Sequence, residues 1–365
     1  MPIVDRVRTV VSKQDLSLFQ VSGEPHDIGF RLGELARPVF TEYMEQSIAW
    51  RAVRRWRGEP FVQQLRAAAH AYFPALLAEL DGMAAGLGWS AEDVFLWNCR
   101  GELIHNAPDG CTTLAAVGGN ARFIAHNEDG DPFLRERCAL VEVQPAGKPG
   151  FVSFYYPGSL PGHTFAANRA GLVQAINNLR ICIPARIPAA GVPRMILARA
   201  VLDAASLDEA LSILRGTPAA SGFHHTLGCA GDERLLSVEV SARRCSAQTV
   251  SAIAGHANHL IHAGCEAEAQ IVTDSSRDRQ ARVEHLLSTC AGPINPAALL
   301  NMLQDRAPEG LPIYRDDPFD PDDENTLATA LFDIGSDRVS MTVYRQGQCA
   351  FETVVASLRP APLRT

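Results

Sequence analysis

Apolar residues recur at spacings of three and four over the first hundred residues, a pattern typical of amphipathic helices. It predicts one long helix over residues 27–57 and a second over residues 60–86. Gly88 is expected to end the second helix, and Ser90 with Asp93 resembles the capping box that starts a third. The first hundred residues are therefore expected to be largely helical.

The pattern changes to strands after residue 110. CTTLAAV and ARFIAHN flank a Gly-Gly-Asn turn, which predicts a β-hairpin. If that turn centres on Gly119, paired residue numbers add up to about 238, so Cys111 faces Asn127 and Asp129 lies one step beyond. Further strands are predicted in Leu16–Val21, ALVEVQP, GFVSFYY, AGLVQAINNL, LLSVEVSA, QTVSAIAGHANHL and residues 326–358. Further helices are predicted over residues 193–215, 276–290 and 295–305, with Ser206 as an N-cap.

Helices interleaved with antiparallel hairpins indicate an α+β layered fold and not a βαβ repeat. No stretch of the chain has the length and composition of a linker between domains, so residues 1–365 are expected to form a single domain. Neither a G-x-G-x-x-G pattern nor a P-loop is present, which leaves nucleotide-phosphate chemistry without support.

Composition narrows the classes of function. The 365 residues are 47% hydrophobic and carry a formal net charge of -8, whereas a nucleic-acid-binding face is basic. No apolar run reaches the roughly 18 residues that span a bilayer, and the charged N-terminus lacks a secretory h-region. The nine cysteines are odd in number and form no CxxC pair, which favours reduced thiols in a cytoplasmic protein.

Cys111 follows Gly110, which is itself preceded by Asp109. The unhindered carbonyl of Gly110 can be attacked by the neighbouring thiol, giving a thioester that water opens. Cys111 then becomes an N-terminus, with an α-amine of pKa about 7.7–8.0 beside a thiol of about 8.5. That amine can act as the general base for its own nucleophile. The alternative is an inert, buried structural thiol.

Polar residues in the neighbouring strands could complete such a site. The hairpin places Asn127, Glu128 and Asp129 close to Cys111, where a carboxylate could hold the α-ammonium and an amide could donate to substrate. The alternative is that NEDGDP forms an ordinary Asp/Gly turn. Asn177 ends one buried strand and Asn258 lies in AGHANHL, and each could supply the neutral donor of an oxyanion hole.

Together these segments resemble the peptidase C45 family, the acyl-coenzyme A:isopenicillin N acyltransferase-like proteins. The resemblance rests on GEPHDIGFRLGE at 23–34, WNCRGEL at 97–103, DGCTT at 109–113, HNEDGD at 126–131, GLVQAINNL at 171–179, GHANHL at 255–260 and DSSRDRQAR at 274–282. These segments cover most of the chain in family order.

The resemblance implies an N-terminal nucleophile (Ntn) hydrolase with a four-layer αββα fold, made as a precursor that cuts itself. It implies cleavage between Gly110 and Cys111, with fragments 1–110 and 111–365 staying associated. Cys111 is then the nucleophile, Asp129 a site carboxylate and Asn258 the oxyanion donor.

The resemblance also implies a site arginine in DSSRDRQAR. Arg277, with Ser276 as a further contact, is the expected residue, while Arg279 and Arg282 are alternatives in the same segment.

The expected activity is hydrolysis or transfer of an amide- or thioester-linked acyl group through a Cys111 acyl-enzyme, with water or an amine as acceptor. The expected partner is a small acyl-amide or acyl-thioester, without metal, cofactor, nucleic acid or membrane. Acyl-coenzyme A is an optional co-substrate, and self-association into a homo-oligomer is left open.

Two other classes remain as alternatives. One is an uncleaved binding protein with the same fold. The other is a zinc protein that uses His256, His259 and His262, whose three-residue spacing suggests metal ligands. The Asp- and Pro-rich segment 317–324 is expected to be a solvated loop, with cation binding as its alternative.

Overall fold

Six helices form the N-terminal part of the chain in this computed structural model. The structure describes residues 16–104, 110–118, 121–182, 191–266, 268–290, 292, 294–307 and 310–357. The helices are α1 (Pro25–Gln46), α2 (Ile48–Val53), α3 (Pro60–Tyr72), α4 (Pro74–Leu87), α5 (Ala91–Asn98) and α6 (Arg100–Leu103). A largely helical first hundred residues is confirmed over the part described.

Both long helices predicted there are interrupted. Ser47 ends the first and caps α2, because its side chain accepts a hydrogen bond from the amide nitrogen of Trp50 at 3.1 Å. Pro74 starts α4 as a separate helix, since its ring is tolerated in a first turn but not in a helix interior. The predicted stop at Gly88, which is left-handed with φ 75°, and the predicted cap at Ser90 are confirmed.

Helices α1 and α4 touch backbone to backbone through glycines. A Cβ atom on Gly29 would lie 1.8 Å from the carbonyl oxygen of Glu79, and one on Gly82 would lie 2.0 Å from that of His26. Only glycine allows this approach, so the spacing of GEPHDIGFRLGE has a packing function.

The strands form two sheets. The eight-stranded sheet has the order β1 (Leu18–Gly23), β4 (Ala139–Pro145), β5 (Phe151–Tyr155), β6 (Phe165–Asn168), β7 (Leu172–Leu179), β8 (Gly222–Cys229), β9 (Leu235–Val240) and β10 (Cys245–Thr249). The six-stranded sheet has the order β11 (Ile253–His256), β2 (Cys111–Gly118), β3 (Ala121–Gly130), β12 (Asn325–Ile334), β13 (Arg338–Arg345) and β14 (Gln348–Ser357). Every pairing is antiparallel except β1 with β4.

Two strands were not predicted, and one predicted strand is divided. β6 is only four residues long, and β8 lacks an alternating pattern because it is buried throughout and carries two adjacent histidines. The stretch predicted as one strand in QTVSAIAGHANHL contributes to β10 and β11, which belong to different sheets.

Helices cover the outer faces of both sheets. The remaining helices are α7 (Arg194–Val201), α8 (Leu207–Gly216), α9 (Asp274–Thr289) and α10 (Pro296–Leu303). Helices α1 and α8 contact the eight-stranded sheet, α9 and α10 contact the six-stranded sheet, and β2 and β3 pack against β7 and β8. The α+β fold with four αββα layers is thereby confirmed. Ser206 caps α8 as predicted, although the helix predicted over 193–215 is divided into α7 and α8.

The β2–β3 register differs by one residue from the prediction. Gly118 pairs with Ala121 and Cys111 with Glu128, so paired residue numbers add up to 239, while the predicted turn itself lies outside the described residues. Directly opposed residues share a face of the sheet. The prediction that Cys111 faces Asn127 was therefore wrong, because one residue in the turn exchanges the faces of the whole strand.

All nine cysteines lie in the described ranges and are free thiols. None of the helices in those ranges combines the length and apolar character needed to cross a membrane.

Candidate active site

The peptide that joins Gly110 to Cys111 is buried and hydrogen-bonded on both sides. The carbonyl oxygen of Gly110 accepts from the amide nitrogen of Asp129 at 2.9 Å. The amide nitrogen of Cys111 donates to Oδ1 of Asn258 at 2.9 Å, and its carbonyl oxygen accepts from the Arg279 guanidinium. The Gly110–Cys111 peptide is thus fixed by groups from β3 and the segment after β11, and α9 binds the carbonyl that follows it.

Asn258 is held by four hydrogen bonds. Its Oδ1 accepts from Cys111 and from Nη2 of Arg279 at 2.8 Å, while its Nδ2 donates to the carbonyl oxygen of Asn178 at 3.0 Å. Its main-chain nitrogen donates to Oγ of Ser276 at 2.9 Å. The structure therefore places Asn258 beside Cys111, and it places Ser276 behind Asn258 as a positioning residue.

The site arginine is Arg279, not Arg277. Residues two apart on a helix point in nearly opposite directions. The Arg277 side chain is 59% exposed and pairs with Asp274, whereas Arg279 is 1% exposed. The Arg282 side chain instead pairs with Asp305, at a distance of 2.7 Å. Which arginine of this segment lies beside Cys111 depends on the orientation of α9.

Arg279 connects the main chain of β2 to nearby carboxylates. Its Nη1 also donates to Oγ1 of Thr112 at 3.0 Å. Burial lowers the pKa of Arg279, and the negative charges of Asp129 and Glu324 act in the opposite direction. The guanidinium is thus a buried cation whose main counter-charges are two carboxylates near the Gly110–Cys111 peptide.

Asp129 lies on the face of β3 opposite the Cys111 thiol. Its Oδ1 accepts from Oγ1 of Thr326 at 2.7 Å, and its Oδ2 has no hydrogen-bond partner among the described residues. Leaving a buried carboxylate oxygen unpaired is costly, so this atom is available to a further donor.

Asn127 and Asn177, the other predicted substrate contacts, do not point at Cys111. Asn127 anchors β3, because its Nδ2 donates to the carbonyl oxygen of Leu303 at 2.7 Å on the outer side of the sheet. Asn177 lies between the sheets, accepts from Oγ1 of Thr113 at 2.7 Å and donates to the carbonyl oxygen of His256 at 3.1 Å. Asn127 points away from Cys111 because the β2–β3 register is shifted by one residue from the predicted one.

Glu128 is the carboxylate on the thiol's side of the hairpin. Its Oε2 lies 3.7 Å from Sγ of Cys111 and 3.0 Å from Nε2 of His126, and its Oε1 accepts from the Tyr156 hydroxyl at 2.7 Å. All of these side chains are buried. The predicted hairpin placed Glu128 near Cys111. It did not predict the direct contact between Glu128 and the thiol or the pairing of Glu128 with His126. The contacts with Tyr156 and His126 depend on the packing of the sheets.

A second buried carboxylate lies against Gly110. A Cβ atom on Gly110 would be 2.4 Å from Oε2 of Glu324. The same oxygen accepts from Nη1 of Arg315 at 2.7 Å, and burial raises the pKa of Glu324 to about 7. A side chain at position 110 would therefore have to displace the carboxyl of Glu324.

The Asp-rich loop is organised around that arginine. Arg315 donates through Nε to Asp320 at 2.8 Å and pairs with Asp322 at 3.3 Å. Asp320 is buried, so the expectation of a wholly solvated loop was wrong. The cation that this segment binds in the structure is the Arg315 guanidinium.

One cavity adjoins Cys111, and a separate groove adjoins Glu324. A cavity of about 20 Å³ has Cys111 in its wall, and a groove of about 600 Å³ has Glu324 in its wall. The small cavity is further lined by Arg100, Glu128, Tyr156, His163, Met195 and Phe223. The groove is further lined by Tyr43, Asp131, Phe133, Arg180, Asp322 and Asp323.

The three histidines considered as zinc ligands are not among the groups of described side chains whose ligand atoms lie close together. Their hydrogen-bonded pairs are His256 with Glu239 at 3.0 Å, His259 with Ser276 at 2.8 Å and His262 with Ser237 at 2.8 Å. Within the described ranges, the ligand-type side chains that come close together are Cys111, His126 and Glu128. Cys111 and His126 each lie within hydrogen-bonding distance of Glu128, so we describe the three side chains as a network that can hold a proton.

Comparison with known proteins places this geometry in a family context. A family model described as acyl-coenzyme A:6-aminopenicillanic acid acyl-transferase matches residues 116–348. The beta-alanyl-dopamine/carcinine hydrolase of Drosophila melanogaster is 24% identical over 234 residues, which cover 56% of this chain. The match spans 58% of the length of that hydrolase.

Two solved structures are similar at low identity. A variant of conjugated bile acid hydrolase from Clostridium perfringens has a TM-score of 0.45 and 10% identity, covering 67% of this chain and 92% of its own. Penicillin V acylase from Agrobacterium tumefaciens has a TM-score of 0.41 and 14% identity, covering 65% of this chain and 83% of its own.

Proposed function

Because the chain belongs to the acyl-coenzyme A:6-aminopenicillanic acid acyl-transferase family, we propose that it is a self-activating cysteine amidohydrolase or acyltransferase. The family predicted from the motifs around Cys111 is confirmed. In this proposal the chain cuts its own Gly110–Cys111 bond, and Cys111 then forms an acyl-enzyme with an amide- or thioester-linked acyl group. Water as acceptor gives hydrolysis, and an amine gives acyl transfer.

The observation that carries the proposal is the fixation of the Gly110–Cys111 peptide. Its carbonyl oxygen is bound by Asp129 and its nitrogen by Asn258, each at 2.9 Å, in a buried site. A donor aimed at the carbonyl oxygen stabilises the negative charge that forms there when a thiol attacks. An ordinary buried strand end would not need an asparagine and a main-chain amide directed at one peptide, with an arginine on the carbonyl of the next.

After cleavage the same groups serve turnover. The new α-amine of Cys111 remains beside Oδ1 of Asn258 and takes the thiol proton as general base. Asp129 holds the protonated amine through its unpaired Oδ2, and Arg279 keeps Asn258 and the Cys111 carbonyl in place.

The two cavities differ in the substrate that they can hold. The cavity beside Cys111 has room for about one water molecule, whereas the groove beside Glu324 has room for a small substrate. The Drosophila relative's name gives beta-alanyl-dopamine and carcinine as substrates, and amides of short acyl groups with small amines are the class we propose. The mechanism needs no metal or cofactor, and acyl-coenzyme A would enter as a co-substrate.

Several contacts support a lasting association of fragments 1–110 and 111–365. β1 pairs with β4 along six residues. Asn98 is buried, donates to the carbonyl oxygen of Gly158 at 3.0 Å and accepts from the nitrogen of Leu160 at 2.7 Å. Separation would expose these polar groups and the apolar surface around them.

Denaturing electrophoresis with intact-mass spectrometry tests self-cleavage. The wild-type chain should yield a fragment that begins at Cys111, and the Cys111→Ala chain should stay intact. An intact wild-type chain under all conditions would instead indicate the uncleaved binding protein. Retained turnover by Cys111→Ala would contradict the proposed nucleophile.

Acyl trapping tests the chemistry. The matured protein would be incubated with short-chain acyl-amides and acyl-thioesters, quenched in acid and digested, and the mass of the Cys111 peptide measured. Acylation there, followed by release to water or to an added amine, separates hydrolysis from transfer. Modification of other cysteines with Cys111 unmodified would contradict the proposal.

A further inference from the structure

We infer that Glu128, paired with His126, is the base that removes the thiol proton of Cys111 during self-cleavage. The inference rests on the self-cleavage proposed above. Before cleavage the α-nitrogen of Cys111 is part of the Gly110–Cys111 amide, whose lone pair is delocalised into the carbonyl and is not basic. The base that serves turnover is therefore absent from the precursor, and a different group has to start the reaction.

The geometry points to Glu128 as that group. Its Oε2 lies 3.7 Å from Sγ of Cys111, a hydrogen-bonding distance for sulfur, on the same face of the hairpin. The Tyr156 hydroxyl holds the carboxyl in this position by donating to Oε1 at 2.7 Å, and Nε2 of His126 lies 3.0 Å from Oε2. By contrast, Asp129 faces the other side of the strand and bonds to Thr326.

The hydrogen bonds behind His126 show where its proton lies. The amide oxygen of Asn177 can only accept, so the Thr113 hydroxyl must donate to it at 2.7 Å. Nδ1 of His126, 2.8 Å from the same hydroxyl, must then carry a proton and donate. Burial lowers the pKa of His126 to about 3, so the ring is neutral and its Nε2 is an acceptor.

The Glu128–His126 pair can therefore store one proton. When Glu128 is a carboxylate and Nε2 of His126 is unprotonated, Oε2 and Nε2 are both acceptors and no proton lies between them. A proton taken from Sγ resides on Oε2 and is shared with Nε2 at 3.0 Å. The neutral ring thus stabilises the protonated form of Glu128, which is the product of the proton transfer.

Other ionisable groups surround this pair and affect its charge. Those facing it are Arg100 from α6, Cys138 from the segment before β4, Tyr156 and His163 from the segments that flank the turn after β5, and Arg194 from α7. The guanidiniums of Arg100 and Arg194 thus line the same cavity as the Glu128 carboxyl.

The step is balanced as follows. The S–H bond of Cys111 breaks, its proton passes to Oε2 of Glu128, and Sγ bonds to the carbonyl carbon of Gly110. The proton then passes to the nitrogen of Cys111 as the C–N bond breaks, which leaves a Gly110 thioester and a free α-amine. Water hydrolyses the thioester to a Gly110 carboxylate and the Cys111 thiol.

The test is the rate of self-cleavage in the full chain with Glu128→Gln, a substitution of equal size. Precursor made by cell-free synthesis would be followed by intact mass, with the exposed Glu136→Gln as a matched control. We expect cleavage to slow by about 100-fold or more at pH 7, the usual contribution of a general base, with no change in the control. Cleavage of Glu128→Gln at the wild-type rate would overturn the inference while leaving self-cleavage intact.

Two further readouts separate a base from a structural residue. The cleavage rate of Glu128→Gln should rise more steeply than that of the wild type between pH 7 and 9, because a thiol of pKa about 8.5 then ionises without a base. Chains matured at pH 9 should lose less than about tenfold in turnover per mole, because the α-amine now serves as base. Equal losses in cleavage and turnover would overturn the inference.

Tyr156→Phe tests the same pair if Glu128→Gln fails to fold. Removal of the hydroxyl that donates to Oε1 makes the carboxylate more basic, so the pH of half-maximal cleavage should move upward. An unchanged pH profile would overturn the inference. If the wild-type chain itself gives no fragment that begins at Cys111, both the inference and the proposed self-cleavage fail.

Discussion

The contact between helices α1 and α4 and the interior around Cys111 are both buried, but they exclude water by different means. In the helix contact, Gly29 and Gly82 let one backbone lie directly on another, so there is no room for a methyl group. Around Cys111, carboxylates, guanidiniums and amides fill the space, and nearly every contact is a hydrogen bond.

The difference lies in what each region resists. The helix contact is made of dispersion and close packing, so it is sensitive to added volume. The site is made of paired charges, so it is sensitive to the loss of any one of them. Changes in the first region should therefore alter stability alone, and changes in the second should alter chemistry, with stability affected only where a buried charge loses its partner.

Arg279→Met should have the largest effect, because it removes a buried cation from the second region. Cleavage and turnover should fall by about 100-fold or more, since Asn258 and the Cys111 carbonyl lose a common donor. The free energy of unfolding should fall by about 3 kcal/mol, because Asp129 and Glu324 lose a counter-charge. Cleavage time courses and urea unfolding measure the two effects.

Arg277→Met is the matched control on the same helix. Its side chain is exposed and pairs only at the surface, so unfolding free energy should change by less than about 0.5 kcal/mol and cleavage should be unaffected. Equal effects of the two substitutions would mean that Arg279 is not the site arginine.

Gly29→Ala should come next, with an effect on stability alone. The added Cβ would lie 1.8 Å from a carbonyl oxygen of α4, so the helices must separate, and we expect a loss of about 3 kcal/mol. Urea unfolding in a Cys111→Ala background, which keeps a single uncleaved chain, measures this. Gly216→Ala, where an added Cβ meets nothing within 4 Å, should change it by less than about 1 kcal/mol. Slower cleavage by folded Gly29→Ala would show that the two regions are coupled.

Gly110→Ala adds the same methyl group to the second region. The new Cβ would displace the carboxyl of Glu324, which lies 2.4 Å away, or the Gly110 carbonyl. Because small displacements of reacting groups cost large factors in rate, cleavage should slow on the order of tenfold to 100-fold. The melting temperature should change little. Intact-mass kinetics and thermal unfolding test this, and wild-type cleavage would show that the site yields to added volume.

The smallest predicted effect is the pH dependence of stability from Glu324. Its folded pKa of about 7 lies above the unfolded value of about 4.3, so the folded state holds this proton more tightly. The stability it contributes is fully present below about pH 4.3 and is lost as pH rises through about 7. Urea unfolding of uncleaved Cys111→Ala chains, with and without Glu324→Gln, should therefore show a difference that falls from pH 5 to pH 8. A pH-independent difference would contradict the raised pKa.

Much of the local structure follows from neighbouring residues. The caps at Ser90 and Ser206, the stop at Gly88 and the existence of the β2–β3 hairpin depend on side chains within a few positions. The Gly110–Cys111 pair and the short motifs from which the family was predicted are likewise local features of the sequence. The interruptions at Ser47 and Pro74 were missed because an apolar period can continue across a break in the backbone.

The amino-acid sequence by itself thus determined most helices and strands, the layered class of fold, and a cysteine placed after a glycine at the start of a strand. Which face each strand presents, and which side chains meet Cys111, depended on the tertiary structure. Arg279 contacts the Cys111 carbonyl across 168 residues, and Glu128 replaced Asn127 opposite Cys111 through a shift of one position in the turn. The physical reason is that local propensities act over a few residues, whereas burial, charge pairing and strand register depend on segments far apart in the chain.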